Sequence, residues 1–300
     1  MQSPIQIISA ASILGLKPSG VEHLPESLLS NGLAQNIHSR QTIITVPTLN
    51  AHYKDERDPE TNCLNAKTIK EFSLSLFKVV SETISKKHFP FVLGGDCSIL
   101  IGIMPALKEK GTYGLIFFDA HADFYEPEKS ITGEVADMDL AIITGRGPDL
   151  LTNIKRLRPY VKDEHVIHIG QRDWNETKKY HSTDIKETTI KCFDLETIEK
   201  IGIVSSTTEI LHHIHQLKVD GFWIHFDTDV LENKINPAVD YRLPGGLSFE
   251  QCEQLLKSLL LTGKIAGMSV TIFNPDLDKS GEISKNITAS LMRTFDLSSL

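Results

Sequence analysis

The sequence predicts an α/β protein built on a mainly parallel sheet covered on both faces. Three observations carry this. Short β-branched runs alternate with helix-length amphipathic patterns, the order that yields parallel strands joined by crossover helices. Several of those runs are apolar at successive positions, as strands buried on both faces must be. No low-complexity linker or internal repeat divides the 300 residues, so residues 1–300 are taken as one domain.

The elements follow in chain order. IQIISAAS (5–12) and TIITVP (42–47) read as the first strands. AKTIKEFSLSLFKVVSETISKK (66–87) places Ile69, Phe72, Leu76, Val79, Val80 and Ile84 at helical spacing. PFVLGG (90–95), YGLIFFDA (113–120), DLAIIT (139–144), HVIHIGQRD (165–173), IKCFD (190–194), GFWIHFDTDV (221–230) and IAGMSVTIFNP (265–275) read as strands. SFEQCEQLLKSLLL (248–261) opens with Ser248 as an N-cap and an acid close behind, a helix start. The closing SLMRTFDLSSL (290–300) reads as a final helix or a subunit contact. Sites on such sheets lie by default in the loops at the carboxyl ends of strands.

An apolar fraction of 40% and a charged fraction of 23% are ordinary for a soluble globular chain. The net charge is −8 and no Lys/Arg block is interleaved with aromatics, which argues against a nucleic-acid partner. Cys63, Cys97, Cys192 and Cys252 form no CxxC pair and read as free thiols. MQSPIQIISAAS lacks the charged and apolar regions of a signal peptide. No apolar stretch approaches the roughly 20 residues that span a bilayer. The expected setting is cytoplasmic, without a membrane partner.

Two strand ends carry the chemistry. In FFDAHADF (117–124), Asp119, His121 and Asp123 are two residues apart, so an extended chain would put all three on one face. In WIHFDTDV (223–230), His225, Asp227 and Asp229 repeat that spacing. A lone DxD is often a turn or cap, and a lone His is often structural. Four aspartates leaving a buried sheet together are another matter, because they would repel one another and lose solvation. One or two divalent cations are the simplest remedy. A third strand end, GGDCS (94–98), raises the question of whether Cys97 is a packed thiol, a reactive thiol or a metal ligand.

With these motifs the chain resembles the arginase/agmatinase (ureohydrolase) family, nearly from end to end. SILGLKPSGVEHLPESLLSNGL (12–33) is similar to the family's N-terminal loop and helix. GGDCS is similar to its GGDHS, and DAHADF to its DAHxDx. FDTDVLE with Asn236-Pro237-Ala238 and Pro244-Gly245-Gly246-Leu247 is similar to its SxDxDxxDP segment and the PxGGL that follows, and Phe273-Asn274-Pro275 to its late Asn-Pro. The resemblance implies a three-layer α/β/α sandwich with a mainly parallel eight-stranded sheet, and assembly as a trimer or hexamer. It implies hydrolysis of a guanidino, hydroxyguanidino or related amidine compound to urea, or a urea derivative, plus an amine. The hydroxide would be shared by Mn²⁺, one or two ions. Asp119 and Asp227 would bridge the ions, His121 and Asp229 would bind one, and Asp123 and Cys97 the other. Asp123, with His121 beside it in the catalytic set, would pass a proton to the leaving nitrogen.

The departures from that pattern are specific. Cys97 stands where the family has a histidine, and a thiolate is a softer donor than Mn²⁺ prefers; a cysteine at this place also occurs among amidinohydrolases acting on N-hydroxyarginine. His225 stands where the family has serine, as a positioning residue, an ordinary polar core residue or a substitute ligand. Ala136 replaces a histidine, and Ile272 replaces the glutamate that grips the guanidinium. At the substrate's amino-acid end the matching residues are Tyr125, Thr132, Glu134 and Asn175. Glu134 would repel an α-carboxylate; it reads as the acceptor of a cationic tail or as a solvated loop residue. Two readings compete with a metal-dependent amidinohydrolase: a non-catalytic family member with a degraded metal site, and a thiol-dependent hydrolase using Cys97.

Overall fold

Eight strands form one sheet: β1 (Ile5–Ala10), β2 (Ile44–Thr45), β3 (Phe89–Gly94), β4 (Tyr113–Phe118), β5 (Val166–Ile169), β6 (Lys191–Phe193), β7 (Gly221–Asp227) and β8 (Ile265–Thr271). Their order is β2-β1-β3-β8-β7-β4-β5-β6, and every pairing is parallel. The structure is a computed structural model that describes residues 3–37, 39, 42–47 and 52–296. Among these, no helix is long and apolar enough to cross a membrane.

The period of two along each strand builds the layers. On β4, Leu115 and Phe117 enter one core while Ile116 and Phe118 enter the other. On β7, Trp223 faces the first core and Phe222, Ile224 and Phe226 the second. Helices Ala66–Ser85 and Leu100–Lys108 cover the first face, through Phe72, Leu76, Val80 and Met104. Helices Ile203–Gln216, Phe249–Leu261 and Glu282–Phe295 cover the second, through Ile210, Leu255 and Ile287. Each large apolar side chain buried this way contributes roughly 1.5–3 kcal/mol. Ser248 caps Phe249–Leu261 with a full capping box, completed by Gln251.

One element differs from the sequence reading. DLAIIT is the helix Asp139–Ile143, not a strand. A six-residue apolar run cannot separate a strand from a buried helix by periodicity. A tertiary contact and a local one decide it: the Ala141 amide donates to the Asp123 carbonyl at 3.2 Å, and within the segment Thr144 Oγ1 donates back to the Leu140 carbonyl at 2.8 Å. The final helix ends at Phe295, and residues 297–300 of the predicted C-terminal segment lie outside the described residues.

The sheet order positions the site. β3 and β4 follow each other in sequence but lie three places apart, with β8 and β7 between them. The segments leaving β3 and β4 therefore open a crevice over the carboxyl ends of the central strands. Gly95 lets the backbone close tightly there, since a Cβ would stand 1.8 Å from the Ser12 carbonyl oxygen.

Candidate metal centre

Four central strands each deliver part of the site. After β3, Asp96 caps the short turn Cys97–Ile99 by accepting from the Ser98 amide at 2.9 Å. That turn aims Cys97 at β7 and β8. Its Sγ donates to Asp227 Oδ2 at 3.0 Å and lies 3.2 Å from Thr271 Oγ1 and 3.3 Å from His225 Nε2. The β7–β8 register sets His225 beside Ser269 and Asp227 beside Thr271. His225 Nδ1 meets Ser269 Oγ at 2.9 Å, and the Trp223 indole N–H donates to the same oxygen at 3.0 Å. Phe117 stacks on the His225 ring, with centroids 5.1 Å apart and planes 18° apart.

The DAHAD segment is not extended, so the shared face that an extended chain would give does not arise. β4 stops at Phe118, and Asp123 has φ 44, in the left-handed region. The carboxylates converge by turning instead. Asp119 Oδ1 accepts from the His121 amide at 2.6 Å. Asp229, in the turn Thr228–Val230, accepts from the Ala120 amide at 3.0 Å, and its Oδ2 lies 2.8 Å from His121 Nδ1. Asp227 Oδ1 accepts from the Asp229 amide at 2.7 Å. Each of these three aspartates thus holds the backbone of its own or the neighbouring loop with one oxygen and turns the other into the site, toward Cys97 from Asp227, toward His121 from Asp229 and without a partner from Asp119. Among the described residues, two sets of donor atoms gather within 4.8 Å, each within itself: Cys97, Asp119, His225 and Asp227, and Asp119, His121 and Asp123.

The electrostatics favour a cation. Burial first, and then the Asp229 charge, pushes Asp119 up to about 7. Asp123 and Asp227 are also pushed well up, by burial and by the surrounding carboxylates. Burial opposes charge on both His121 and Asp229, but their mutual attraction outweighs it, raising His121 and lowering Asp229. Burial holds His225 neutral, down at about 3. Burial and the Asp227 charge push the Cys97 thiol well up, which disfavours a free thiolate nucleophile. Asp119 Oδ2 is buried without a hydrogen-bond partner. Convergent carboxylates, an imidazole and an orphaned carboxylate oxygen fit a divalent cation.

Above the carboxylates lies a cavity of about 370 Å³. Cys97, His121, Asp123, Asp227 and Asp229 line its floor, and Tyr125, Thr132 and Glu134 its wall. Asn175 is exposed on the helix Trp174–Lys179 and does not line it; Asp173 and Glu176 do. Glu134 is not solvated: it is 1% exposed, with Oε1 accepting from the Lys17 amide at 2.9 Å and Oε2 from Tyr241 Oη at 2.6 Å. Thr132 Oγ1 donates to Asp137 Oδ2 at 3.0 Å. Leu16, Ala136 and Ile272 pack with Cys97 into an apolar patch on the cavity wall. Ile272 has φ 72, a strained conformation for a β-branched residue, and donates its amide to the Gly95 carbonyl at 2.8 Å.

Sequence reasoning missed three supporting residues. Asp173 accepts from the Ala122 amide at 3.0 Å, and Arg172 donates to the Asp229 carbonyl at 2.7 Å. Both lie in the HVIHIGQRD run, just past the strand, where functional loops begin. Asp139, fully buried, sits under the influence of Asp119 and Asp123. Its misread strand hid it.

The arginase family pattern matches residues 4–297. An arginase of Staphylococcus aureus (strain COL) is 30% identical over 298 residues, 97% of this chain and 96% of its own. The native arginase structure from Bacillus caldovelox superposes with a TM-score of 0.88 at 27% identity, covering 98% of both chains. The formimidoylglutamase of Bacillus subtilis shares the fold, with a TM-score of 0.73 at 18% identity over all of this chain and 88% of its own.

Proposed function

Because the chain belongs to the arginase family, we propose that it is a metal-dependent amidinohydrolase, releasing urea or a urea derivative and an amine from a guanidino, hydroxyguanidino or related amidine compound. The observation that carries this is the convergence of His121, Asp123, Asp227 and Asp229 at the floor of one cavity, with the fully buried Asp119 within 4.8 Å of donor atoms of His121, Asp123 and Asp227. Asp119 and Asp227 would bridge two divalent cations, His121 and Asp229 would hold one, and Asp123 and Cys97 would face the other. When bound, such cations, Mn²⁺ being the family's usual choice, would supply water acidic enough to attack an amidine carbon near neutral pH and would offset the charge that builds there.

The chain's own residues divide the remaining work. Asp123 lines the cavity and would carry a proton from the attacking water to the leaving nitrogen. Its left-handed backbone aims the carboxyl inward, and the Ala141 amide fixes its carbonyl. Leu16, Ala136 and Ile272 present apolar surface where the family places an imidazole and a carboxylate. A fully charged guanidinium would find no acid at position 272. The substrate favoured by this wall is therefore a weakly basic amidine, such as a hydroxyguanidine, with Tyr125 and Thr132 beside it. Glu134 has both oxygens engaged and serves the wall rather than a cationic tail. Residues 1–300 would act as one unit, in a homo-oligomer.

A panel of guanidines, hydroxyguanidines and formamidines, assayed for urea, hydroxyurea or formamide release, tests the reading. Activity abolished by chelator and restored by a divalent cation is expected. Ala136 and Ile272 also suit a non-catalytic family member; a silent panel with full metal loading would favour that reading.

A further inference from the structure

Cys97 follows β3 and His225 lies on β7, with β8 between those strands, yet Sγ and Nε2 lie 3.3 Å apart. Both residues are fully buried or nearly so, and both sit with Asp119 and Asp227 in one group of donor atoms within 4.8 Å. We propose that Cys97 and His225 form a sulfur–nitrogen pair which, with Asp119 and Asp227, holds a borderline divalent cation such as Zn²⁺ or Co²⁺ in preference to Mn²⁺. The inference deepens the two-cation reading and rests on it. It moves the missing imidazole from position 97 to position 225, one strand pair away in the same crevice.

Three features support the pair. A metal-binding histidine usually engages its second ring nitrogen with a fixed partner. His225 Nδ1 has Ser269 Oγ at 2.9 Å, itself anchored by the Trp223 N–H. Stacking against Phe117 fixes the ring plane and the Ser269 contact fixes which edge faces β8, so Nε2 points toward Cys97 and Thr271. Asp119 Oδ2, in the same group, is buried and unpartnered. The donor chemistry then separates the two metal positions. Asp119, His121, Asp227 and Asp229 offer mainly oxygen, which suits Mn²⁺. Cys97 and His225 add sulfur and nitrogen, which raise the affinity for Zn²⁺ and Co²⁺ far more. Were His225 merely to donate Nε2–H to a Cys97 thiolate, the sulfur would bind the cation and the imidazole would not.

X-ray absorption on the full-length protein loaded with two equivalents of Zn²⁺ separates these cases. One sulfur and two imidazoles, His121 and His225, shared between two zinc ions is the expected count. One imidazole per two zinc ions would overturn ligation by His225, and absence of sulfur scattering would overturn the pair. In parallel, Co²⁺ titration should give a thiolate-to-cobalt charge-transfer band that Mn²⁺ displaces only at more than tenfold excess; equal competition would refute the preference. His225→Gln should lose that second equivalent of Co²⁺ while retaining the first. If that variant does not fold, the wild-type zinc spectrum decides alone. A sulfur–nitrogen shell in a protein that hydrolyses no amidine would keep this inference and remove the amidinohydrolase reading. Amidine hydrolysis with an oxygen-rich shell would do the reverse.

Discussion

Replacing the buried carboxylate of Asp119 should stabilise the metal-free protein. Asp119 is fully buried, its Oδ2 has no partner, and burial with the nearby Asp229 charge raises it from 3.8 to about 7. Between those two values the folded state holds a proton that the unfolded state has lost, so stability falls as pH rises through this window. A shift of about three units at ~1.4 kcal/mol each is a penalty of roughly 4 kcal/mol, complete above pH 7. Asp119→Asn removes that charge and keeps an oxygen for the His121 amide. It also weakens the support that Asp119 gives the charged form of His121, so a net gain of about 1–4 kcal/mol at pH 8 is expected. At pH 4 the gain should vanish. In the presence of Mn²⁺ the order should invert, because only the wild type gains from cation binding, by about 2.7 kcal/mol per site at a hundredfold excess over Kd. Denaturant unfolding of chelator-treated wild type and Asp119→Asn, from pH 4 to 8 and with or without metal, measures all of this. A variant less stable than metal-free wild type at pH 8, or a difference independent of pH, would refute the argument that these carboxylates are held together against their own repulsion.

Three further outcomes follow from the same geometry. Cys97→His combined with His225→Ser should retain close to two equivalents of Mn²⁺ after desalting; Cys97→His alone should not, since His225 Nε2 already lies 3.3 Å from the sulfur, and elemental analysis reads the difference. Ile272→Glu should raise kcat/KM for charged guanidines by about 10- to 150-fold, the value of a charge-assisted hydrogen bond of about 1.5–3 kcal/mol; no gain would show that position 272 does not meet the substrate. Glu134→Leu should cost about 1–3 kcal/mol in unfolding free energy by removing two hydrogen bonds, to the Lys17 amide and Tyr241 Oη, worth about 0.5–1.5 kcal/mol each, with KM little changed. A large KM increase without destabilisation would return Glu134 to a substrate-binding role.

The sequence by itself determined the alternating architecture and the strand ends that matter. Apolar runs such as YGLIFF and GFWIHF read as strands of a doubly covered sheet, and the carboxylates after them mark where they emerge. It also marked Cys97, Ala136 and Ile272 as departures, because each sits inside an otherwise matching motif. What periodicity could not supply was the path of the loops. Asp123 turns into a left-handed conformation, and Asp139 starts a helix that local pattern reads as a strand. Glu134 looks like a surface residue until Lys17 and Tyr241, more than a hundred positions away, close over it. The pairing of Cys97 with His225 was decided by the tertiary structure alone. Two residues 128 positions apart meet because β8 slots between β3 and β7. Strand order is set by long-range packing, and no local spacing records it.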